Sequence, residues 1–374
     1  MKFVNVVGAR PNFMKMAPII EALEQQPSGI DHLLVHTGQH YDEKMSKAFF
    51  DDLGMPVPDI NLEIGSGTHA EQTSRIMVEF EKVCLKEQPD LVIVVGDVNS
   101  TMACTITAKK LGIRVAHVEA GLRSRDMTMP EEINRLCTDI LCDYLFTTEP
   151  IANENLIKEG VAPEKIFFVG NVMIDTLLKH KEMASRSGTL ERLDLKPGEY
   201  ATLTMHRPSN VDDGVILEGI LQALKEISRT VPIIFPIHPR TRKMAQTFGL
   251  SDYFTEGGRP QGIWLTEPLG YLDFLQLTMN SRLVLTDSGG LQEETTVLGV
   301  PCITMRYNTE RPITCSIGTN VLVGSEKDKI LAEARQILND STRKGAVPEK
   351  WDGQTAKRIV KILKSRGKND ISKG

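Results

Sequence analysis

Residues 282–299, RLVLTDSGGLQEETTVLG, combine an apolar run, a glycine turn and a helical segment. The run is typical of a strand buried on both faces, and the turn lets a ligand approach the backbone at Gly289 and Gly290. A helix is predicted to begin near Leu291 and to end at Gly299. Because the amides and dipole of a helix N-terminus attract anions, the segment favours a phosphate or diphosphate. A tight strand-to-helix connection without a ligand is the alternative.

Cations lie at two positions that suit the same kind of ligand. Arg10 and Lys15 flank the N-terminus of the first predicted helix, where they could hold a diphosphate through charge-assisted hydrogen bonds. Arg306 and Arg311 follow the strand after the glycine turn and could add to that anion site. Solvated surface cations are the alternative interpretation of Arg10 and Lys15.

Carboxylates also occur where packing gives no reason for them. Asp97 and Glu119 each end a predicted central strand, and Glu131 lies in a helix four residues before Arg135, which can orient it. Several carboxylates in one cleft would raise some pKa values and give groups that exchange protons near neutral pH. Alternatively, Glu131 and Glu132 only complement the helix dipole.

Two histidines, His206 and His238, follow consecutive strands of the second half of the chain, each close to an arginine. A lone histidine is more often structural, but two in equivalent positions favour function. No spacing of His, Cys or carboxylate residues in the sequence matches that of a metal-binding site. We therefore expect no metal, with phosphate charge handled by arginine and histidine.

The elements that must position these residues alternate between short apolar strands and longer amphipathic segments, which predicts an α/β fold with doubly wound parallel sheets. Ligands bind at the carboxyl ends of such strands. We expect two similar Rossmann-like domains, residues 1–175 and 176–374, facing across a cleft, with the last helix (355–364) docking back on the first domain. Strands are predicted at 3–7, 33–36, 91–95, 115–118, 144–147, 201–205, 233–237, 263–266, 283–286, 302–305 and 321–323, and helices include 14–23 and 70–86.

Composition excludes several classes of protein. The chain has 374 residues and a net charge of −5, which gives no reason to expect a nucleic-acid partner. No apolar run approaches the roughly 20 residues that span a bilayer, so no membrane partner is expected. Six cysteines without a CxxC pair, and a start without a signal-peptide pattern, predict a cytoplasmic location.

From about residue 2 to about residue 363, the chain resembles the non-hydrolysing UDP-N-acetylglucosamine (UDP-GlcNAc) 2-epimerases. The resemblance implies two Rossmann-like domains in the glycosyltransferase-B arrangement, no nicotinamide or metal cofactor, and a homodimer. The motifs that carry it are GARPNFMKMAP (8–18), TGQHYD (37–42), GDVNST (96–101), HVEAGLRS (117–124), PEEINR (130–135), HRPSN (206–210), DSGGLQEE (287–294) and TERP (309–312).

The resemblance further implies inversion at C2 of UDP-GlcNAc, through elimination of UDP to a 2-acetamidoglucal and its re-addition. It assigns catalysis to Asp97, Glu119, Glu131 and His206, with His206 near the leaving phosphate. Glu294 is expected to accept from the ribose hydroxyls and Phe274 to lie against the uracil. The full set of implied substrate or UDP ligands is Arg10, Lys15, Arg135, His238, Phe274, Ser288, Gly289, Gly290, Glu294 and Arg311.

Alternatives remain open at this stage. They are a hydrolysing 2-epimerase, a 2-epimerase of a UDP-2,3-diacetamido uronic acid, a glycosyltransferase of the same fold, and a non-catalytic nucleotide-sugar binding protein. Some bacterial relatives bind a second UDP-GlcNAc as an activator. Gln39 and His40 match part of that activator site, whereas His69 stands about where an arginine is expected.

Overall fold

The structure, a computed structural model, describes residues 1–26, 30–38, 54, 57–256, 261–340 and 344–371. It divides into two compact units, Met1–Lys179 with Glu349–Gly374 (unit 1) and His180–Pro348 (unit 2). The sequence analysis placed the domain boundary between residues 175 and 176. Both units are built on parallel sheets with helices, which confirms the predicted α/β fold class.

The sheet of unit 1 is parallel in the order β3-β2-β1-β4-β5-β6-β7 among the described residues. Its central strands are almost continuously apolar and buried on both faces, as strands covered by helices must be. The strands are β1 Lys2–Val7, β2 Asp31–His36, β3 Ile60–Asn61, β4 Leu91–Val95, β5 Arg114–Ala120, β6 Tyr144–Thr147 and β7 Ile166–Phe168. The helices are α1 Arg10–Glu24, α2 His69–Glu87, α3 Asn99–Lys110, α4 Pro130–Leu141, α5 Pro150–Lys158 and α6 Val172–Ala184, with a 3-10 turn at Pro163–Lys165.

The sheet of unit 2 is also parallel, in the order β10-β11-β9-β8-β12-β13-β14 within the described part of the chain. The strands are β8 Ala201–Thr204, β9 Ile233–Pro236, β10 Phe254–Glu256, β11 Ile263–Thr266, β12 Leu283–Thr286, β13 Cys302–Thr304 and β14 Asn320–Leu322. The helices are α7 Thr189–Arg192, α8 Pro208–Val211, α9 Gly214–Ile227, α10 Pro239–Thr247, α11 Tyr271–Met279, α12 Gly289–Leu298, α13 Ile313–Ser316 and α14 Lys327–Leu338, with a 3-10 turn at Ser251–Tyr253.

The last helix, α15 (Thr355–Ile371), belongs to unit 1. Its first turn is capped by Asp175, whose carboxylate accepts from the backbone N–H groups of Thr355 (3.1 Å) and Ala356 (2.8 Å). Trp351, just before the helix, is buried, and its Nε1 donates to the carbonyl of Thr148 at 2.9 Å. These contacts hold the end of the chain on unit 1.

Two sequence-based expectations differ from the structure. The edge strands β3, β7 and β10 were not predicted, because strands of two or three residues are too short to show a strand pattern. The helix expected to begin near Leu291 begins at Gly289. Both glycines therefore belong to the first helical turn. No helix among the described residues combines the length and apolar character needed to cross a membrane.

Candidate functional site

Asp97 follows β4 at the carboxyl edge of the unit 1 sheet and is held by Arg135 of α4. Arg135 Nη2 lies 2.5 Å from Asp97 Oδ2, and its Nη1 lies 2.6 Å from Glu132 Oε2. The expected contact between Arg135 and Glu131 was wrong, because the arginine turns toward the residue three positions before it. Glu131 is half-buried, and its side chain has no hydrogen-bond or ion-pair partner among the residues that the structure describes.

Glu132, which the sequence analysis treated only as a first-turn acid, is a buried anchor. It accepts from the backbone N–H groups of Ser124 and Arg125, both at 2.9 Å, and from Ser124 Oγ at 3.0 Å. Burial tends to raise the pKa of Glu132, but these hydrogen bonds and the charge of Arg135 outweigh it and lower the pKa. Glu132 thus fixes both the loop before α4 and the arginine that holds Asp97.

Glu119 occupies an unusual backbone conformation in β5. Its φ is +75°, and the pairing of β5 with β6 shifts register between Val118 and Ala120. Such a conformation is strained for a residue with a Cβ, and strain of this kind clusters at functional sites. The bulge directs Glu119 to Lys15, with Oε2 and Nζ 2.5 Å apart and both side chains buried. Lys15 is therefore not a solvated cation.

The loop between β1 and α1 is held by the buried side chain of Asn12. Asn12 is buried, accepts from the backbone N–H of Ala9 at 2.9 Å, and donates to the carbonyl of Val95 at 2.9 Å. Arg10 begins α1 and is exposed. Gly96 has a φ of +68°, and a Cβ there would lie 3.1 Å from Lys15 Nζ. The positive φ favours glycine here, and a Cβ would also make a tight contact with Lys15.

In unit 2, Asp287 joins the ends of the neighbouring strands β8 and β12. It is completely buried and accepts from the N–H groups of His206 (3.0 Å) and Arg207 (2.8 Å) and from Asn210 Nδ2 (3.2 Å). Its Oδ1 also lies 3.3 Å from His206 Nδ1. The sequence analysis quoted Asp287 in a motif but gave it no role. Its position directly after a buried strand was the available signal.

The two predicted histidines come together. The rings of His206 and His238 lie with centroids 5.7 Å apart at an interplanar angle of 37°. His238 caps α10, since its Nδ1 accepts from the backbone N–H of Arg240 at 3.2 Å. Burial, followed by the positive charges of His206 and Arg240, lowers the pKa of His238, although Asp287 opposes this. His238 is thus held as an acceptor at Nδ1.

The glycine turn packs against a buried cluster of charges. Arg311 Nε lies 2.7 Å from Glu293 Oε1, and Arg311 Nη1 lies 2.8 Å from Glu310 Oε1. Glu310 also pairs with Arg306 at 2.9 Å. A Cβ on Gly289 would come within 2.7 Å of Arg311 Nη1, so the glycine allows the arginine to reach the start of α12. Arg311 and the turn, both predicted as phosphate ligands, are therefore adjacent.

The remaining predicted nucleotide contacts lie on the same helix or close to it. Ser288 is the N-cap residue of α12 and makes no side-chain cap hydrogen bond. Glu294 is buried, and burial, followed by the negative charge of Glu293, raises its pKa to about 8. Phe274 of α11 packs against a small apolar cluster that includes Val284 and Leu291.

The residues that correspond to the activator site of some bacterial relatives are described only in part. Gln39 and His40 lie outside the described residues. His69 begins α2, and its Nδ1 lies 3.2 Å from Asn99 Nδ2. Among the described residues, no group of three or more His, Cys, Asp or Glu side chains is arranged to hold a metal ion.

Comparison with known proteins identifies the family of the chain. A family profile described as UDP-N-acetylglucosamine 2-epimerase matches residues 21–364. The chain belongs to this family. It is 46% identical over 368 residues to a UDP-N-acetylglucosamine 2-epimerase of Methanocaldococcus jannaschii, covering 97% of this chain and 99% of the relative. These findings confirm the family resemblance and the assignment to an epimerase family.

A solved structure and a second curated relative are named for their nucleotide-sugar ligands or substrates. A crystal structure of the M. jannaschii enzyme in complex with UDP-GlcNAc and UDP matches with a TM-score of 0.89 and 45% identity, covering 98% of this chain and 100% of that one. A UDP-2,3-diacetamido-2,3-dideoxy-D-glucuronate 2-epimerase of Pseudomonas aeruginosa is 41% identical over 366 residues, covering 97% of this chain and 99% of the relative.

Proposed function

We propose that this chain interconverts UDP-GlcNAc and UDP-N-acetylmannosamine (UDP-ManNAc) by inverting C2 without net hydrolysis. In the first step a base removes the C2 proton while the C1–O bond to UDP breaks, which leaves 2-acetamidoglucal and UDP. In the second step a UDP oxygen bonds again to C1, and an acid returns a proton to C2 on the opposite face. The mechanism uses neither a nicotinamide nor a metal.

The observation that carries this proposal is the pair of cation-bound carboxylates at the ends of neighbouring strands. Asp97 after β4 lies against Arg135, and Glu119 in β5 lies against Lys15, each at 2.5 Å. Proton removal and return at one carbon need two oriented acid–base groups. We assign these two carboxylates and Glu131 to proton exchange at C2.

The departing diphosphate needs positive charge and amide donors. We assign this role to His206, Ser288 and Arg311 of unit 2, with the amides of Gly289 and Gly290 at the start of α12. The N-terminus of a helix that begins with two glycines is suited to an anion. The remaining ligands implied by the resemblance stay proposals with the same roles, and Glu294 is assigned to the ribose hydroxyls.

A second candidate substrate is a UDP-2,3-diacetamido uronic acid, which the P. aeruginosa relative favours. The chemistry at C2 would be the same, but the sugar carries one more acetamido group and a carboxylate. A comparison of kcat/KM for the two nucleotide sugars separates them. A higher kcat/KM for the uronic acid would replace UDP-GlcNAc as the proposed substrate.

The reaction type is tested by NMR of the protein with UDP-GlcNAc in D2O and no added cofactor. We expect UDP-ManNAc with deuterium at C2, because the returned proton comes from a group that exchanges with solvent. Free N-acetylmannosamine and UDP as main products would instead indicate the hydrolysing reaction. Transfer of the sugar to an added acceptor, without exchange at C2, would indicate a glycosyltransferase. Tight binding of UDP-GlcNAc without turnover of either sugar would indicate a binding protein.

We also propose a homodimer formed through α4. This helix buries polar side chains, including Glu132, Arg135 and Asp139, and leaves Ile133 and Ile140 exposed by 43% and 59%. An outward apolar stripe of this kind suits a second copy of the chain. Light scattering should give a dimer for the wild type and a monomer for Ile140→Lys. A wild-type monomer would contradict the proposal.

A cytoplasmic location stays a prediction.

A further inference from the structure

His117 is a completely buried histidine of β5, two residues before Glu119, and both of its ring nitrogens have close partners. Nε2 lies 2.8 Å from the backbone carbonyl oxygen of Gly96, the residue before Asp97. Nδ1 lies 2.6 Å from Asp139 Oδ1 on α4. The ring therefore connects β5 to the loop after β4 and to the helix that carries Arg135.

The chemistry of these partners determines where the protons lie. A backbone carbonyl can only accept, so Nε2 carries a hydrogen. Asp139 also accepts from the backbone N–H of Gly121 at 3.0 Å, and its Oδ2 lies 2.7 Å from Arg123 Nη1. The Arg123 guanidinium and the Gly121 N–H both favour the ionised form of Asp139, independently of His117. An ionised Asp139 has no hydrogen to share, so Nδ1 carries one as well.

We propose that His117 is a buried imidazolium whose two N–H groups hold Gly96 and Asp139 and thereby position Asp97 and Glu119 for catalysis. This proposal rests on the proposed function for the role of those two carboxylates, but not for the charge of the ring. His117 is a positioning residue, since it acts on the reaction only through its neighbours.

The surrounding charges suit an imidazolium. Asp139 faces the ring from α4, and Arg123 from the loop after β5 shares Asp139. Arg123 also pairs with Glu159 at the end of α5, with Nη2 2.5 Å from Oε2. Glu159 also has Arg125 as a partner, with Arg125 Nη1 3.7 Å from its Oε1. Asp139 lies between Arg123 and the His117 ring, so each buried charge has an opposite neighbour when the ring is an imidazolium.

The connection from His117 to the carboxylates is short. Gly96 is held by His117 at its carbonyl and by the carbonyl of Val118 at its N–H (3.1 Å). Gly96 in turn lies beside Lys15, the partner of Glu119, and directly precedes Asp97. A shift of the Gly96 peptide would therefore move Asp97 and disturb the Lys15–Glu119 pair together. Small displacements of this kind are costly for catalysis.

The charge state is tested by NMR of protein labelled with 15N at its histidine rings, at about pH 8, where an ordinary histidine is mostly neutral. We expect His117 to show two nitrogen-bound protons, assigned by their loss in His117→Gln. If that variant does not fold, neutron diffraction from the wild-type protein locates both deuterons instead. A single nitrogen-bound proton would overturn the proposal. This measurement needs no enzyme activity, so its outcome is independent of the proposed function.

The positioning role is tested with two conservative variants. In His117→Gln the side-chain amide can still reach the Gly96 carbonyl, whereas in His117→Asn the shorter amide can reach only Asp139. We expect His117→Asn to lower kcat by about 10- to 100-fold with little change in KM, and His117→Gln to recover part of that loss. The same exchange at His32, a strand residue of the same sheet, serves as the control and should leave kcat unchanged.

If His117→Asn folds with wild-type kcat, Gly96 is held adequately without the ring and the positioning role is wrong. If both variants lose kcat equally, the loss is not specific to the Gly96 contact, which also contradicts it. A wild-type protein without epimerase activity would refute the proposed function, while the NMR result on the imidazolium would still stand or fall by itself.

Discussion

Replacing Asp287 with asparagine tests whether a buried carboxylate supports His206. An asparagine oxygen can still accept from the N–H groups of His206 and Arg207 and from Asn210, so the three hydrogen bonds survive without the charge. Hydrogen bonds to charged groups contribute about 1 kcal/mol more than neutral ones. The three hydrogen bonds together lose about 3 kcal/mol of stabilisation. Part of this loss is recovered because an amide costs less free energy to bury than a carboxylate. We expect unfolding of Asp287→Asn to be easier by about 1–3 kcal/mol.

The same substitution should also impair catalysis. The carboxylate lies 3.3 Å from His206 Nδ1 and favours a proton on that nitrogen. An asparagine amide removes this preference. His206 would then carry its hydrogen on Nε2, which is the wrong nitrogen for its proposed role. Acid–base and charge-stabilising groups typically raise the reaction rate by about 100- to 10,000-fold. We therefore expect kcat of Asp287→Asn to fall by about 100-fold. Steady-state kinetics on UDP-GlcNAc and thermal unfolding measure the two effects.

Asp213→Asn is the matched control. Asp213 caps α9 in the same unit by accepting from the N–H groups of Val215 and Ile216, and asparagine is an equally good cap. This variant loses the same charge and should keep both kcat and stability. The double variant Asp287→Asn with His206→Asn should be no slower than His206→Asn alone. Wild-type kcat in Asp287→Asn, or fully additive losses in the double variant, would refute a role exerted through His206.

Three further predictions concern the proposed site. Asp97→Asn should lower turnover by about 100-fold or more, with Arg135 still held by Glu132 and UDP affinity nearly unchanged; full activity would remove Asp97 from the mechanism. Arg311→Ala should weaken UDP binding measured by calorimetry, and unchanged affinity would refute its assignment to the diphosphate. Because the pKa of Glu294 is raised in the folded protein to about 8, its folded form retains a proton that the unfolded form loses above the ordinary value of 4.5. The free energy of unfolding should therefore fall as pH rises between these values, and Glu294→Gln should abolish that part of the slope; an identical slope in both proteins would contradict the raised pKa.

Much of the fold and the location of several candidate site residues at strand ends could be predicted from the sequence. Apolar runs and helical periodicity identified the central strands of both sheets, because burial between helices demands continuous apolar side chains. Polar residues directly after those runs identified Asp97, His206 and the Asp287–Gly290 turn, because the strands of a parallel sheet present their carboxyl ends at one edge. The order of the motifs along the chain indicated the family. These features are local, so the chain order alone carries them.

Only the tertiary structure decided which side chains are partners. Lys15 of α1 meets Glu119 of β5, and the left-handed conformation of Glu119 that directs it there is not expected of a glutamate. Arg135 turns to Asp97 and Glu132 instead of Glu131, and the two ring nitrogens of His117 lie against Gly96 and Asp139. Each of these contacts joins residues that the sheet order brings together. The sequence therefore determined the candidates for chemistry, while packing determined their charges, orientations and partners.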